Sequence, residues 1–330
     1  MPSQLLSRHE RIMYGGIKIF AGSASPGLAA KIADFLGEPL SGVDVTEYPN
    51  ENLFVRLQKS VRGQDVFIIQ TTSSPVHRNL MELLIMLQTM RLDSAGRITA
   101  VIPYLAYARS DKKDMPRVPI TARLIADMIE VAGADRYITL DLHAGQIQGF
   151  FSIPGDVLTA FHLITNYILT KVPDMHDPAV VAADLGFAKK GRNFAEKIGA
   201  PIAFVEKRRT EKLCIEALSL IGSVDGHDVI IVDDEVDTGG SMEQAVKLVK
   251  EKGARNIYIV FVHPVFSPPA VDRLAHLPVE EIVTTDTIPI PAKEKSILAG
   301  KLTILSVSPL LGEVILRAHE GRSVGEMFQE

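Results

Sequence analysis

Two periods alternate along this chain. Short runs of β-branched and aromatic residues, bounded by glycine, proline or an acid, read as buried strands, and between them apolar residues recur at helical spacing. From residue 17 the order is a strand (17–20), a small-residue turn (21–27) and a helix (28–36) closed by Gly37. A polar turn at 48–52 then leads into a strand, a buried strand falls within 61–70, and a long helix covers 77–92. Further strands are predicted at 98–104, 137–143, 179–183, 201–205, 229–232, 256–262, 281–285 and 302–307. Helices are predicted at 122–132, 162–170, 243–250 and 308–319, with another after Asp184 carrying Lys189, Lys190 and Arg192. Such alternation predicts an α/β chain of mainly parallel sheets flanked by helices.

The pattern also repeats. Val61-Arg62-Gly63-Gln64-Asp65-Val66 returns as Val224-Asp225-Gly226-His227-Asp228-Val229, and Leu36-Gly37-Glu38-Pro39-Leu40 as Ile198-Gly199-Ala200-Pro201-Ile202. The offsets are 163 (61 to 224) and 162 (36 to 198), so the chain reads as a tandem duplication of one α/β unit. No Gly- or Ser-rich linker separates the copies, which predicts that they pack closely.

One stretch organises the second copy. Val229 to Val232 run straight into Asp233, Asp234 and Glu235, then Asp237-Thr238-Gly239-Gly240-Ser241 precedes a helix. The glycines let main-chain N–H groups converge at a helix N-terminus, so the loop reads as a phosphate cradle. Asp233 and Asp234 are placed to accept from sugar hydroxyls or to hold a hydrated cation. A solvated strand–turn–helix is the plainer alternative, but carboxylates crowded at a strand end repel one another unless something positive sits there. By the repeat offset the first copy has Gln70 and Thr71 in place of the acid pair, so it cannot hold a sugar in the same way.

Composition narrows the function. In 330 residues with a net charge of −5, an anionic ligand must be met by local basic residues, and nucleic acid or an anionic membrane is a poor partner. No apolar run reaches membrane-spanning length, and residues 1–16 read as a short extension. Cys214 is the single cysteine, which fits a reducing cytoplasm and other compartments as well. Tyr107-Ala108-Arg109-Ser110-Asp111-Lys112-Lys113-Asp114 is a mixed-charge cluster at a strand end; taken alone, a solvated loop explains it better than a site does. His143 follows Asp141 by two, which predicts that both face one side of a strand end, as a metal or phosphate site needs. Lys207, Arg208 and Arg209 leave the 201–205 strand as counter-charges for polyphosphate.

These segments carry a family resemblance. Asp233 to Ser241 resembles the phosphoribosyl-binding loop of the type I phosphoribosyltransferase fold. With Tyr107-Ala108-Arg109, Pro119-Ile120-Thr121, Thr139-Leu140-Asp141-Leu142-His143-Ala144 and Gln146 to Phe151, residues 17–315 resemble ribose-phosphate diphosphokinases. The resemblance implies two tandem phosphoribosyltransferase-like domains, 17–157 on the ATP side and 158–330 on the ribose 5-phosphate side. It implies transfer of the β,γ-diphosphoryl group of MgATP to O1 of ribose 5-phosphate. Tyr48, Asn50, Asn52, Arg109, Ser110, Asp111 and His143 match ATP contacts; Asp184, Asp233, Asp234, Asp237, Thr238, Gly239, Gly240 and Ser241 match ribose 5-phosphate contacts. His143 and Asp184 match Mg²⁺ positions, and Lys207 and Arg209 the cations of a mobile catalytic loop. A cytoplasmic homo-oligomer, dimer or hexamer, is implied, in which the 48–52 loop reaches a neighbour. Departures fall at Tyr48, Asn52, Ser110, Leu185, Phe187 and Glu235, the last bringing a carboxylate where a hydrophobe is usual. A phosphoribosyltransferase and a catalytically silent regulatory subunit are the alternatives.

Overall fold

The computed structural model describes residues 14–209 and 216–328, with the backbone alone at 207–209, 216, 217 and 328. The first copy contains β1 (Ile17–Ala21), α1 (Pro26–Leu36), β2 (Val43–Glu47), β3 (Leu53–Leu57), β4 (Asp65–Ile69), α2 (Val76–Leu92), β5 (Arg97–Ile102), α3 (Thr121–Ala132), β6 (Arg136–Leu140) and β7 (Gly155–Leu158). The second continues with α4 (Phe161–Leu169), β8 (Ala179–Ala182), α5 (Ala188–Ile198), β9 (Ile202–Arg209), β10 (Glu216–Ile221), β11 (Val229–Val236), α6 (Gly240–Glu251), β12 (Ile257–Pro264), α7 (Ala270–His276), β13 (Glu281–Thr285), α8 (Ala292–Ile297), β14 (Leu302–Leu305) and α9 (Ser308–Glu320).

The duplication is visible in the topology. The first sheet runs β1-β4-β5-β6-β7, all parallel, and the second contains β8-β11-β12-β13-β14 in the same parallel order. The repeated glycines do the same work in each copy. Gly37 and Gly199 close α1 and α5 in left-handed conformations (φ 67° and 69°), and Gly63 (φ 69°) and Gly226 (φ 77°) turn the chain into β4 and β11. The copies differ at their hairpins. β9 and β10 extend the second sheet, whereas β2 and β3 pair only with each other.

The copies share a core. One buried cluster runs from Ile19, Phe67 and Ile138 of the first sheet through α1, α4 and α9 to Val180, Val232 and Val260 of the second. α9 belongs in sequence to the second copy but packs on α1. Its last turn is fixed to β4 and β5: His319 Nδ1 lies 2.8 Å from Asp65 Oδ2, and Arg97, paired with the same carboxylate, also donates to the Ala318 carbonyl at 2.9 Å. A second buried link crosses elsewhere. His263 on β12 stacks edge-on to Tyr104 with centroids 5.1 Å apart, and its Nε2 lies 3.3 Å from the Asp141 carbonyl.

Several predicted strands need correction: 229–232 runs on to Val236, so Asp233, Asp234 and Glu235 lie within β11, and 98–104 and 302–307 stop at Ile102 and Leu305. The 137–143 strand stops at Leu140, because Asp141 turns the backbone to φ +40° and breaks the alternation. The 201–205 strand instead runs on to Arg209 and pairs antiparallel with β10. Residues 210–215, the polar run after Arg209, lie outside the described residues, as do 1–13.

Candidate active site

The carboxyl ends of β6, β8 and β11 converge on one cleft of about 620 Å³ between the copies. Open parallel sheets offer ligand sites at these strand ends, where side chains and helix N-termini point the same way. The cleft is lined by Asp111, Lys112 and His143 from the first copy, and by Asp184, Lys189, Lys190, Asp233 and Asp234 from the second. Tyr48, Asn50 and Asn52 are not among its lining residues. They form the exposed tip of the β2–β3 hairpin, where Asn50 Oδ1 accepts from the Asn52 amide.

The two acids of the pair are shifted in opposite directions. His143 Nδ1 donates to Asp234 Oδ2 at 2.7 Å, across the boundary between the copies. Burial pushes Asp234 up, but the hydrogen bond and charge of His143 outweigh it and hold the carboxyl at about 2. The same bond to Asp234 raises His143 above its ordinary value, against partial burial. Asp233 goes the other way: burial, then the charge of Asp234, raise it well above the carboxylate range.

The cradle follows. Gly239 takes φ +75° as the N-cap of α6, whose N-terminus points its amides toward the cleft end of β11. Behind the loop, Arg273 on α7 donates to the Thr238 carbonyl at 2.8 Å and pairs with Glu243 at 3.4 Å. Asp237 lies 3.5 Å from Arg109, which pairs with Glu235 at 2.5 Å. A residue matched to ATP is thus held by the loop matched to ribose 5-phosphate.

Several predicted site groups have structural engagements. Asp141 and His143 both line the cleft, but Asp141 is buried and accepts from Thr159 Oγ1 (2.7 Å) and the Ala160 amide (2.6 Å) at the start of α4. Ser110 Oγ accepts from the Thr121 amide at 3.2 Å, starting α3, and Asp111 accepts from Gln146. Asp184 Oδ1 accepts from the Phe187 amide at 2.9 Å, ahead of α5. The side chains of Lys207 and Arg209 lie outside the described residues.

Sequence reasoning missed Arg273 and the partner of Arg109. Each depends on a tertiary approach, and no local spacing announces it. In the first copy the place of the acid pair is filled. Gln70 is fully buried, accepts from the Ala24 amide (3.0 Å) and donates to the Asn79 carbonyl (3.2 Å). It lies so close to Gly22 that a Cβ there would meet its Oε1 at 2.2 Å.

A duplicated parallel α/β unit, with an acid-and-glycine loop opening a helix at the cleft, defines a phosphoribosyltransferase-fold protein. Sequence comparison matches residues 17–133 to the N-terminal domain of ribose phosphate pyrophosphokinase and residues 206–329 to the phosphoribosyl synthetase-associated domain. Ribose-phosphate pyrophosphokinases of Caldanaerobacter subterraneus subsp. tengcongensis and Wolinella succinogenes are 46% and 44% identical, over 94% and 95% of this chain and 98% and 99% of theirs. The crystal structure of phosphoribosylpyrophosphate synthetase from Mycobacterium smegmatis matches with a TM-score of 0.88 at 39% identity, covering 93% of this chain and 99% of that one. The chain belongs to the ribose-phosphate pyrophosphokinase family.

Proposed function

We propose that this protein transfers the β,γ-diphosphoryl group of MgATP to O1 of ribose 5-phosphate, giving 5-phosphoribosyl 1-diphosphate and AMP. The observation that carries this reading is the seam between the copies, where the second copy's acids meet His143 and Arg109 of the first. In-line transfer forms the O1–Pβ bond, breaks the bond from Pβ to the α,β-bridging oxygen and releases the O1 proton. There is little covalent work for the protein, so catalysis is alignment and charge neutralisation.

The residues divide accordingly. Asp233 and Asp234 accept from the ribose hydroxyls, and the Asp237, Thr238, Gly239, Gly240 and Ser241 loop holds the 5-phosphate on α6's amides. Arg109, Ser110, Asp111 and His143 lie on the ATP side. Lys207 and Arg209 neutralise charge on the transferring group and on AMP as it leaves. We read the domains as 17–157 and 158–330, a break that falls at the last residue of β7 (Gly155–Leu158), ahead of α4.

The side chains fit Mg²⁺. No three His, Cys, Asp or Glu among the described residues are grouped to cage a metal. Asp184 keeps one oxygen beyond its Phe187 bond, and His143 keeps Nε2 beyond its Asp234 bond. A few single-point donors suit an ion that retains waters and binds chiefly through substrate phosphates. Held by His143 and Asp184, Mg²⁺ would supply positive charge that neutralises the phosphates.

The exposed hairpin tip with Tyr48, Asn50 and Asn52 is read as reaching the ATP site of a neighbouring subunit in a homo-oligomer. Among the described residues no helix is long and apolar enough to cross a membrane. A cytoplasmic protein without nucleic-acid partners is the reading that the charge and the lone cysteine support. Nucleotide product analysis tests the reaction: AMP formed only with ribose 5-phosphate supports it, and ADP overturns it.

A further inference from the structure

Arg109 and Glu235 belong to different copies and are 126 positions apart in the chain (109 to 235), yet they form one of the closest ion pairs among the described residues. The Glu235 side chain is 5% exposed, whereas that of Arg109 is 52% exposed. Asp237 is the weaker partner, at 3.5 Å and 35% exposed. Solvent therefore screens the Asp237 contact far more than the Glu235 contact. A guanidinium carries five N–H donors in a rigid fork. Nε is committed to Glu235 and Nη1 points to Asp237, which leaves the Nη2 edge for another anion.

We propose that Glu235 is a positioning residue for nucleoside triphosphate binding: from the cradle side of the cleft, its buried carboxylate anchors the Nε edge of Arg109 and presents the remaining edge to the nucleotide's phosphates. The proposal rests on the reading of the cleft given above. A long, half-exposed arginine loses rotamer freedom when it binds a phosphate, and an anchor that fixes it beforehand removes that cost from binding. The pair is a poor device for stability. Burial raises the Glu235 carboxyl to about 7 despite the opposing pull of Arg109, so the desolvation cost exceeds the attraction. A buried acid kept at net cost, facing an exposed cation at a ligand cleft, is better explained by binding than by folding.

Calorimetric titration with MgATP alone, together with steady-state kinetics, tests this in the full chain. Glu235→Leu should weaken MgATP binding by ~tenfold, as the loss of a close charge partner does, and raise the ATP KM with the ribose 5-phosphate KM nearly unchanged. Glu235→Gln keeps an oxygen acceptor, so it should restore part of the loss. In an Arg109→Ala background, Glu235→Leu should cost nothing further. Tighter MgATP binding in Glu235→Leu would mean that Glu235 sequesters Arg109, and a rise confined to the ribose 5-phosphate KM would make it a cradle residue. Either result, or additive losses in the double variant, overturns the proposal. Should Glu235→Leu fail to fold, Glu235→Gln and its cycle with Arg109→Ala decide. Because the titration needs no turnover, an inactive wild-type protein would overturn the proposed reaction while leaving the anchor decided by binding.

Discussion

His143 and Asp234 are 91 positions apart in sequence and 2.7 Å apart in space, and their bond joins the carboxyl end of the first sheet to the acid cradle of the second. Each shifts the other. Asp234→Asn should lower the His143 pKa, read by NMR titration of its ring protons, because the main cause of its rise is removed. The sign of the linkage is fixed by the two directions. The contribution of His143 is complete below its unfolded value of about 6.5 and is lost as pH rises through its raised folded value. That of Asp234 is complete above about 3.9 and is lost as pH falls through about 2. The pair should therefore support the fold fully between about pH 4 and 6.5, and Asp234→Asn should lower Tm most within that window.

Glu235 has the opposite linkage. Its folded value of about 7 lies above the ordinary 4.5, so the folded state binds the proton more tightly and stability falls as pH rises between them. The fall is on the order of 3 kcal/mol. Glu235→Gln cannot ionise, so its unfolding free energy relative to wild type should improve from pH 5 to pH 8 in denaturant titrations. A difference independent of pH would mean that Glu235 is ionised throughout.

Gln70 fills in the first copy the place that Asp233 holds in the second. Gly22→Ala would put a methyl group 2.2 Å from Gln70 Oε1, in a buried amide bonded at both ends. Overpacking of this kind costs about 1–3 kcal/mol. Chemical denaturation should show that loss, and ribose 5-phosphate binding should be unchanged.

Lys207 and Arg209 should act in the transition state and contribute little to ground-state binding. Lys207→Ala and Arg209→Ala should each lower kcat by on the order of 10²-fold with both KM values nearly unchanged. Asp237→Ala, in the cradle, should instead raise the ribose 5-phosphate KM. If Lys207→Ala raised the ATP KM with kcat intact, the residue would be a ground-state clamp.

Where a feature is local, the chain declares it. The strand, acids, glycines and helix at β11–α6 could be read from spacing alone. So could the duplication, because Gly37 and Gly199, and Gly63 and Gly226, meet the same backbone demand in each copy. The misses have physical causes. Period-two reasoning carried the strand on to His143, but Asp141 leaves the β region and spends its carboxylate on Thr159 and Ala160. β2 and β10 escaped notice because each gains its place by pairing with a hairpin partner more than by its own pattern. Nothing local to Arg109 announces Glu235, since only the packing of one copy on the other brings them together.

The central claim is that the cleft joins a diphosphoryl donor to a sugar phosphate. Phosphorus NMR of the protein mixed with Mg²⁺, ATP and ribose 5-phosphate tests it most directly. AMP and a diphosphate bonded to the sugar's C1 oxygen should appear one for one and only when all components are present. ADP with a singly phosphorylated sugar product, or inorganic diphosphate released with no sugar-bound diphosphate at any time, would contradict it.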